Sequence, residues 1–141
     1  MRPGPLLELQ ADYAKRIGRD LEIHEVEEKR KLTPAELTLR ESERLLAVLP
    51  ENAYAVALDE RGKSLPSAGL AERLGAWRQM GRPVAFLIGG ADGHHPQLRE
   101  RADLLLALGP MTWPHLLARI MLLEQLYRAQ QILAGHPYHR A

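Results

Sequence analysis

The sequence predicts an α/β fold, a parallel sheet with helices on both faces, and three observations carry that expectation. Four short apolar runs suited to strands alternate with stretches of helical spacing, an order that favours parallel pairing through helical crossovers. The run Val84-Ala85-Phe86-Leu87-Ile88, fenced by Pro83 and Gly89, is apolar throughout, as a strand buried on both faces requires. Two runs break abruptly into glycine-bearing loops, Gly89-Gly90-Ala91-Asp92-Gly93 and Gly109-Pro110-Met111-Thr112-Trp113-Pro114-His115. Open α/β sheets bind ligands at the carboxyl ends of their strands, where glycine lets a ligand approach the main chain.

The elements follow in order. Leu6, Leu9, Tyr13 and Ile17 recur at helical spacing, with Pro5 suited to the first turn and Gly18 to the stop. Leu21-Glu22-Ile23-His24 alternates as a first strand should, and the charged stretch from Glu25 to Lys31 reads as its end and an exposed loop. Thr33-Pro34-Ala35-Glu36 is a capping box opening a helix through Leu37, Leu45, Leu46 and Leu49, which Pro50 closes. Ala53 to Leu58 is the second strand, and Asp59-Glu60-Arg61-Gly62-Lys63 reads as a polar turn after it. Asp59 has the place of a ribose-binding acid, but without a dinucleotide fingerprint it reads as an exposed loop carboxylate.

Ser67 is suited to cap the next helix, whose Leu70, Leu74 and Trp77 form a core stripe and which Gly81 ends. The central strand, Val84 to Ile88, comes next. Pro96 begins a short helix through Leu98 and Ala102, and Leu104 to Leu108 supplies the fourth strand. The last helix, from Pro114 to Ala134, is apolar on more than one face, at Leu117, Met121 and Leu122 among others. That surplus predicts a second packing partner, most simply another copy of the chain.

Composition narrows the function. At 141 residues, with 45% hydrophobic and 26% charged, the chain fits one globular domain spanning 1–141. No apolar run approaches the roughly 20 residues that span a bilayer, so the expected setting is soluble and cytoplasmic, with no membrane partner. The absence of cysteine excludes disulfides, thiolate zinc sites and thiol nucleophiles. A net charge of +1 offers nucleic acid no general attraction, so any RNA contact must be local. Candidates are Lys29-Arg30-Lys31 and the end of the chain, with Arg128, His136, His139 and Arg140. His136 and His139 lack an evident third ligand, so no metal site is expected. The motif Gly89-Gly90-x-x-Gly93 is neither a dinucleotide fingerprint nor a phosphate loop, and alone it fits an ordinary strand-to-helix turn equally well.

Taken together, the motifs resemble a known family. Leu87-Ile88-Gly89-Gly90-x-x-Gly93, Met111-Thr112-Trp113-Pro114-His115 with Arg119, Glu124-Gln125-Leu126-Tyr127-Arg128-Ala129 and the ending His136-Pro137-Tyr138-His139-Arg140 resemble the RlmH family of SPOUT-class methyltransferases. The similarity runs from about Leu6 to Arg140. It implies a SPOUT-type parallel sheet with a C-terminal trefoil knot, which periodicity does not reveal. It also implies S-adenosylmethionine as methyl donor, a homodimer, and N3 methylation of a pseudouridine in large-subunit (23S) ribosomal RNA on the assembled ribosome.

By the same resemblance the donor site comprises Leu58, Gly90, Gly109, Pro110, Met111, Thr112, Trp113 and Pro114. A side chain at Gly90 is expected to occupy ligand space and to be penalised by positive φ. Tyr138, His139 and Arg140 are implied to position the substrate, with the tail reaching the partner's donor site. The proton leaving N3 has three candidate acceptors, His136, Tyr138 and His139, among which the sequence does not choose. Family members ordinarily begin with a short apolar strand ending in glycine, whereas this chain reaches its first helix by Pro5. Either the start is assigned too late or the sheet lacks its N-terminal strand. A noncatalytic nucleotide- or RNA-binding module on the same fold is the competing expectation. A flavodoxin-like carrier fits less well, because neither loop is rich in serine and threonine.

Overall fold

The computed structural model describes residues 4–26, 28–90 and 93–138. Helix α1 (Pro5–Ile17) has proline in its first turn and Gly18 as its cap. Helix α2 (Pro34–Val48) is capped by the Thr33 hydroxyl, which accepts from the Glu36 N–H at 3.3 Å. There follow β1 (Tyr54–Ser64), α3 (Ser67–Gln79), β2 (Val84–Leu87), α4 (Pro96–Arg101), β3 (Leu104–Ala107) and α5 (His115–Leu133).

The three strands form a parallel sheet in the order β2-β1-β3. Tyr54 to Ala57 pair with Val84 to Leu87 on one side, and Val56 to Leu58 with Leu104 to Leu106 on the other. Flanked on both edges, β1 buries Ala55, Val56 and Ala57 completely. Successive side chains point to opposite faces, which divides the core in two. Val56 and Leu106 pack with Leu70, Leu74 and Trp77 of α3 and Ala129 of α5. Ala55, Ala57 and Leu87 pack with Leu98 of α4 and with Leu45, Leu46 and Leu49 beside them. Helices on both faces of a parallel sheet are therefore present, as the alternation predicts. Burying a leucine as fully as Leu98 stabilises by about 1.5–3 kcal/mol.

Several expectations need correction. Residues 21–24 form no strand: Ile23 is exposed, and no sheet edge pairs with the segment among the described residues. Alternation states which face a strand would bury, not whether a partner lies within reach. The run from Val84 is an edge strand and only Leu87 in it is buried; the central strand is β1. Residues 59–63 are not a turn. There β1 leaves the ladder with β3 and rejoins it at Lys63↔Leu106 and Ser64↔Ala107. Within that excursion Gly62 lies flat on β3, because a Cβ there would stand 2.5 Å from the Leu105 carbonyl carbon.

Three further points concern helices. Pro66 is the N-cap of α3, and the Ser67 hydroxyl donates instead to the Gln125 side chain of α5. Pro114 is the N-cap of α5, not its first residue. Helix α5 packs between α3 and α1, burying Leu122 to 3% exposure and leaving Leu117 and Met121 partly exposed. The Gln130 amide donates to the Ile17 carbonyl, and Arg119 donates to Gln10, stitching α1 to α5. No helix among the described residues is long and apolar enough to cross a membrane.

Candidate functional site

Because the strands are parallel, their carboxyl ends emerge together. Leu58 on β1 pairs with Leu106, which places it three residues from Gly109, while β2 ends beside it at Leu87. The first glycine loop folds upon itself: the Gly93 N–H donates to the Gly90 carbonyl at 3.1 Å, and the two glycines form an isolated bridge. A Cβ on Gly89 would approach the Gly93 carbonyl oxygen to 2.9 Å. Ala91 and Asp92, between these two glycines in sequence, lie outside the described residues. The left-handed glycine here is Gly93 (φ 77°), not Gly90 as the sequence suggests. Nor is the Cβ direction of Gly90 empty, since the Glu41 carboxylate of α2 fills it at 3.1 Å.

Beneath the turn sits His94, 4% exposed, with its Nε2 3.1 Å from the Leu87 carbonyl oxygen. A carbonyl can only accept, so Nε2 carries the hydrogen and Nδ1 is left as a buried lone pair without a partner among the described residues. Desolvation leads in holding the imidazole below its ordinary pKa, opposed by the Leu87 carbonyl and by Asp59. Asp59 is not the exposed loop acid that the sequence suggests; its side chain is 7% exposed and pairs with Arg99 of α4 at 3.4 Å. It also accepts from the Arg61 N–H at 2.9 Å, which ties it to its own strand.

The second loop is open. Gly109 has φ 91°, and Met111 is 68% exposed. The Trp113 indole N–H donates to the Leu108 carbonyl at 3.1 Å, turning the loop back on the end of β3. The Thr112 hydroxyl donates to the Glu60 carboxylate, on the excursion of β1. Among the described residues, no atom beyond the chain neighbours lies within 4 Å of the Cβ direction of Gly93 or Gly109, so both turns offer uncovered main chain. A flat, polar ligand that hydrogen-bonds to backbone fits such a cradle.

The tail takes a different position. The Tyr138 hydroxyl donates to Glu124 at 3.0 Å, and its ring stands edge-on to Tyr127 at 4.8 Å. Arg128 stacks on Tyr138 at 5.0 Å and pairs with Glu124 at 2.7 Å. Burial, and then the hydrogen bond to Glu124, push the phenol pKa up to about 12, so Tyr138 is a donor rather than a base at neutral pH. Leu58, Gly90 and the 109–114 loop thus all lie at or beyond the carboxyl ends of the parallel strands, whereas these partners of Tyr138 lie on α5. His139 and Arg140 lie outside the described residues.

Fold and loops define an α/β protein with a three-stranded parallel sheet, in which β2 and β3 each run into a glycine loop at the carboxyl end. Comparison with known proteins makes this specific. The family model described as predicted SPOUT methyltransferase matches residues 1–139. The chain is 57% identical over 141 residues to the ribosomal RNA large subunit methyltransferase H of Rhodospirillum centenum, covering 99% of this chain and 93% of that one. It is 55% identical over 140 residues to the protein of that name from Paramagnetospirillum magneticum, covering 99% and 92%. The Rhodospirillum rubrum relative of the same name is 53% identical over 141 residues, covering 99% and 93%. The chain belongs to the SPOUT methyltransferase family.

Four residues at the site escape sequence reading. Glu41 and Glu60 look like ordinary surface acids of a helix and a turn, and His94 like half of a loop dipeptide. Gly62 reads as turn punctuation. A partial signal existed only for Gly62, since a glycine inside a strand pattern marks a bulge or a close backbone approach.

Proposed function

We propose that this chain is an S-adenosylmethionine-dependent methyltransferase of large-subunit (23S) ribosomal RNA, methylating N3 of a pseudouridine on the assembled ribosome. The single observation that carries the donor site is the pair of bare glycine turns after β2 and β3, the strands on either side of β1, supported by relatives named as ribosomal RNA methyltransferases. Leu58 lines the site from β1, Gly90 from the first turn, and Gly109, Pro110, Met111, Thr112, Trp113 and Pro114 from the second. A sulfonium supplies an already activated methyl group, so the protein has to bind, orient and exclude water. Backbone groups of the two turns hold the donor, with Leu58 and Trp113 as its apolar walls.

Residues 1–141 act as a single domain with a C-terminal trefoil knot, in the cytoplasm and without a metal. The enzyme works as a homodimer in which Tyr138, His139 and Arg140 position the substrate at the partner's donor site. The exposed Leu6 and Leu9 of α1 and Leu133 of α5 support an apolar contact between copies. For the tail to reach a partner, Tyr138 must leave Glu124 or carry that contact into the dimer.

The test is transfer of label from radiolabelled donor to ribosomes lacking the modification, with mapping of the methylated base. Incorporation at one pseudouridine of the large-subunit RNA is expected. Donor binding without transfer to ribosomes overturns the enzymatic reading and leaves a binding module.

A further inference from the structure

We propose that Glu41 is a specificity residue of the donor site, its carboxylate set against the glycine turn to face the positive charge of the donor sulfonium. The inference rests on the donor reading above, and its starting point is geometric. Glu41 Oε1 and Oε2 lie 3.1 and 3.4 Å from the Cβ position of Gly90, so the carboxylate itself forms one side of the first turn. Its placement is fixed from behind. The neighbouring Ser42 is 2% exposed, and its hydroxyl accepts from the His95 N–H at 3.0 Å, pinning α2 to the segment just after the turn. Leu45, Leu46 and Leu49 pack the rest of the helix onto the sheet.

Glu41 is partly buried, yet no cation among the described residues pairs with it. The arginines nearest in sequence are engaged elsewhere. Arg40 binds Glu43 at 3.1 Å, Arg44 binds Glu28 at 3.1 Å, and Arg99, across the turn, binds Asp59 at 3.4 Å. A carboxylate that forms no ion pair among the described residues is open to a cation that arrives. It stands beside the bare main chain that offers itself to a ligand. A cationic ligand supplies what the protein omits.

The consequence is a preference between donor and product. S-adenosylmethionine and S-adenosylhomocysteine share adenine, ribose, ammonium and carboxylate; they differ by one methyl and the charge on sulfur. A carboxylate facing the sulfur favours the first and is indifferent to the second, so the spent product is released when the charge disappears. Because that charge diminishes in the transition state, Glu41 contributes to ground-state binding and not to the chemical step. Glu41→Gln should therefore raise KM for the donor and leave kcat unchanged or higher.

The deciding measurement is calorimetric titration of the full chain and of Glu41→Gln with both compounds. The expected result is a loss of at least about tenfold in donor affinity, equivalent to about 1.4 kcal/mol, with S-adenosylhomocysteine affinity within about twofold of the parent. Equal losses for both compounds overturn the proposal, since Glu41 would then only support the turn or contact a shared group. Unchanged affinity for both overturns it as well. A parent protein that binds neither compound overturns the donor reading itself, and the role of Glu41 with it.

Discussion

The loop that follows β2 and the loop that follows β3 both carry glycine at a strand's carboxyl end, yet they are held in opposite ways. The first is closed: Gly90 bonds to Gly93, Gly89 is pressed against Gly93, His94 is buried below and Glu41 stands alongside. The second hangs open, tied by the Trp113 indole and by one hydroxyl contact to Glu60, with Met111 in solvent. The difference separates two tasks. A preformed turn presents fixed backbone to a ligand, and a loosely tied one can close around what has bound.

The largest disturbance is expected where the open loop meets the sheet. Gly62→Ala forces a Cβ into the Leu105 main chain, which can yield only by moving β3 or the excursion of β1 that carries Glu60. A loss of about 3 kcal/mol, the upper part of the overpacking range, is expected in chemical denaturation. A loss under about 0.5 kcal/mol would show that the excursion is free to lift away.

Next in size is the contrast between the loops themselves. Gly89→Ala meets the Gly93 carbonyl and should destabilise by about 1–3 kcal/mol. Gly109→Ala meets no atom but carries φ 91°, so about 1–2 kcal/mol of backbone strain is expected together with loss of donor binding. If Gly109→Ala binds donor as the parent does, the open loop is not part of the cradle.

A smaller effect tests the closed loop through pH. The folded state holds His94 below its ordinary pKa, so the unfolded chain takes up the proton first. The stability gained by keeping His94 neutral is complete above about pH 6.5, the unfolded value, and is lost as pH falls through the folded one. Denaturation midpoints of the parent should fall in that window, and those of His94→Gln should fall less. Parallel profiles would remove His94 from beneath the turn. The smallest change is expected from Thr112→Val, which removes one exposed hydroxyl contact and should cost less than about 1 kcal/mol of stability.

What the sequence disclosed follows from the range of the forces involved. The capping of α2 by Thr33, the stripe of Leu70, Leu74 and Trp77, and both glycine loops are local patterns, and each is found where its residues predict. Strand order is not local. Nothing in Val84 to Ile88 distinguishes an edge from a centre, and the alternation of Leu21 to His24 cannot say that no partner will come. The site divides likewise. Its glycines announce themselves by type, but Glu41 acquires meaning only because Ser42 binds His95, 53 residues away, and Asp59 because Arg99 reaches back across 40.

The stitching of α1 to α5 bears on how the protein is made. Their hydrogen bonds join residues 109 and 113 positions apart, so α1 leaves the ribosome well before the helix it docks against. No residue of α1 is buried even in the finished fold, and thirteen residues alone are a marginal helix in water. At about 5–20 residues per second, α1 waits roughly 5–20 s for its partner surface to emerge. Helix α1 therefore finds its place only after α5 has been made.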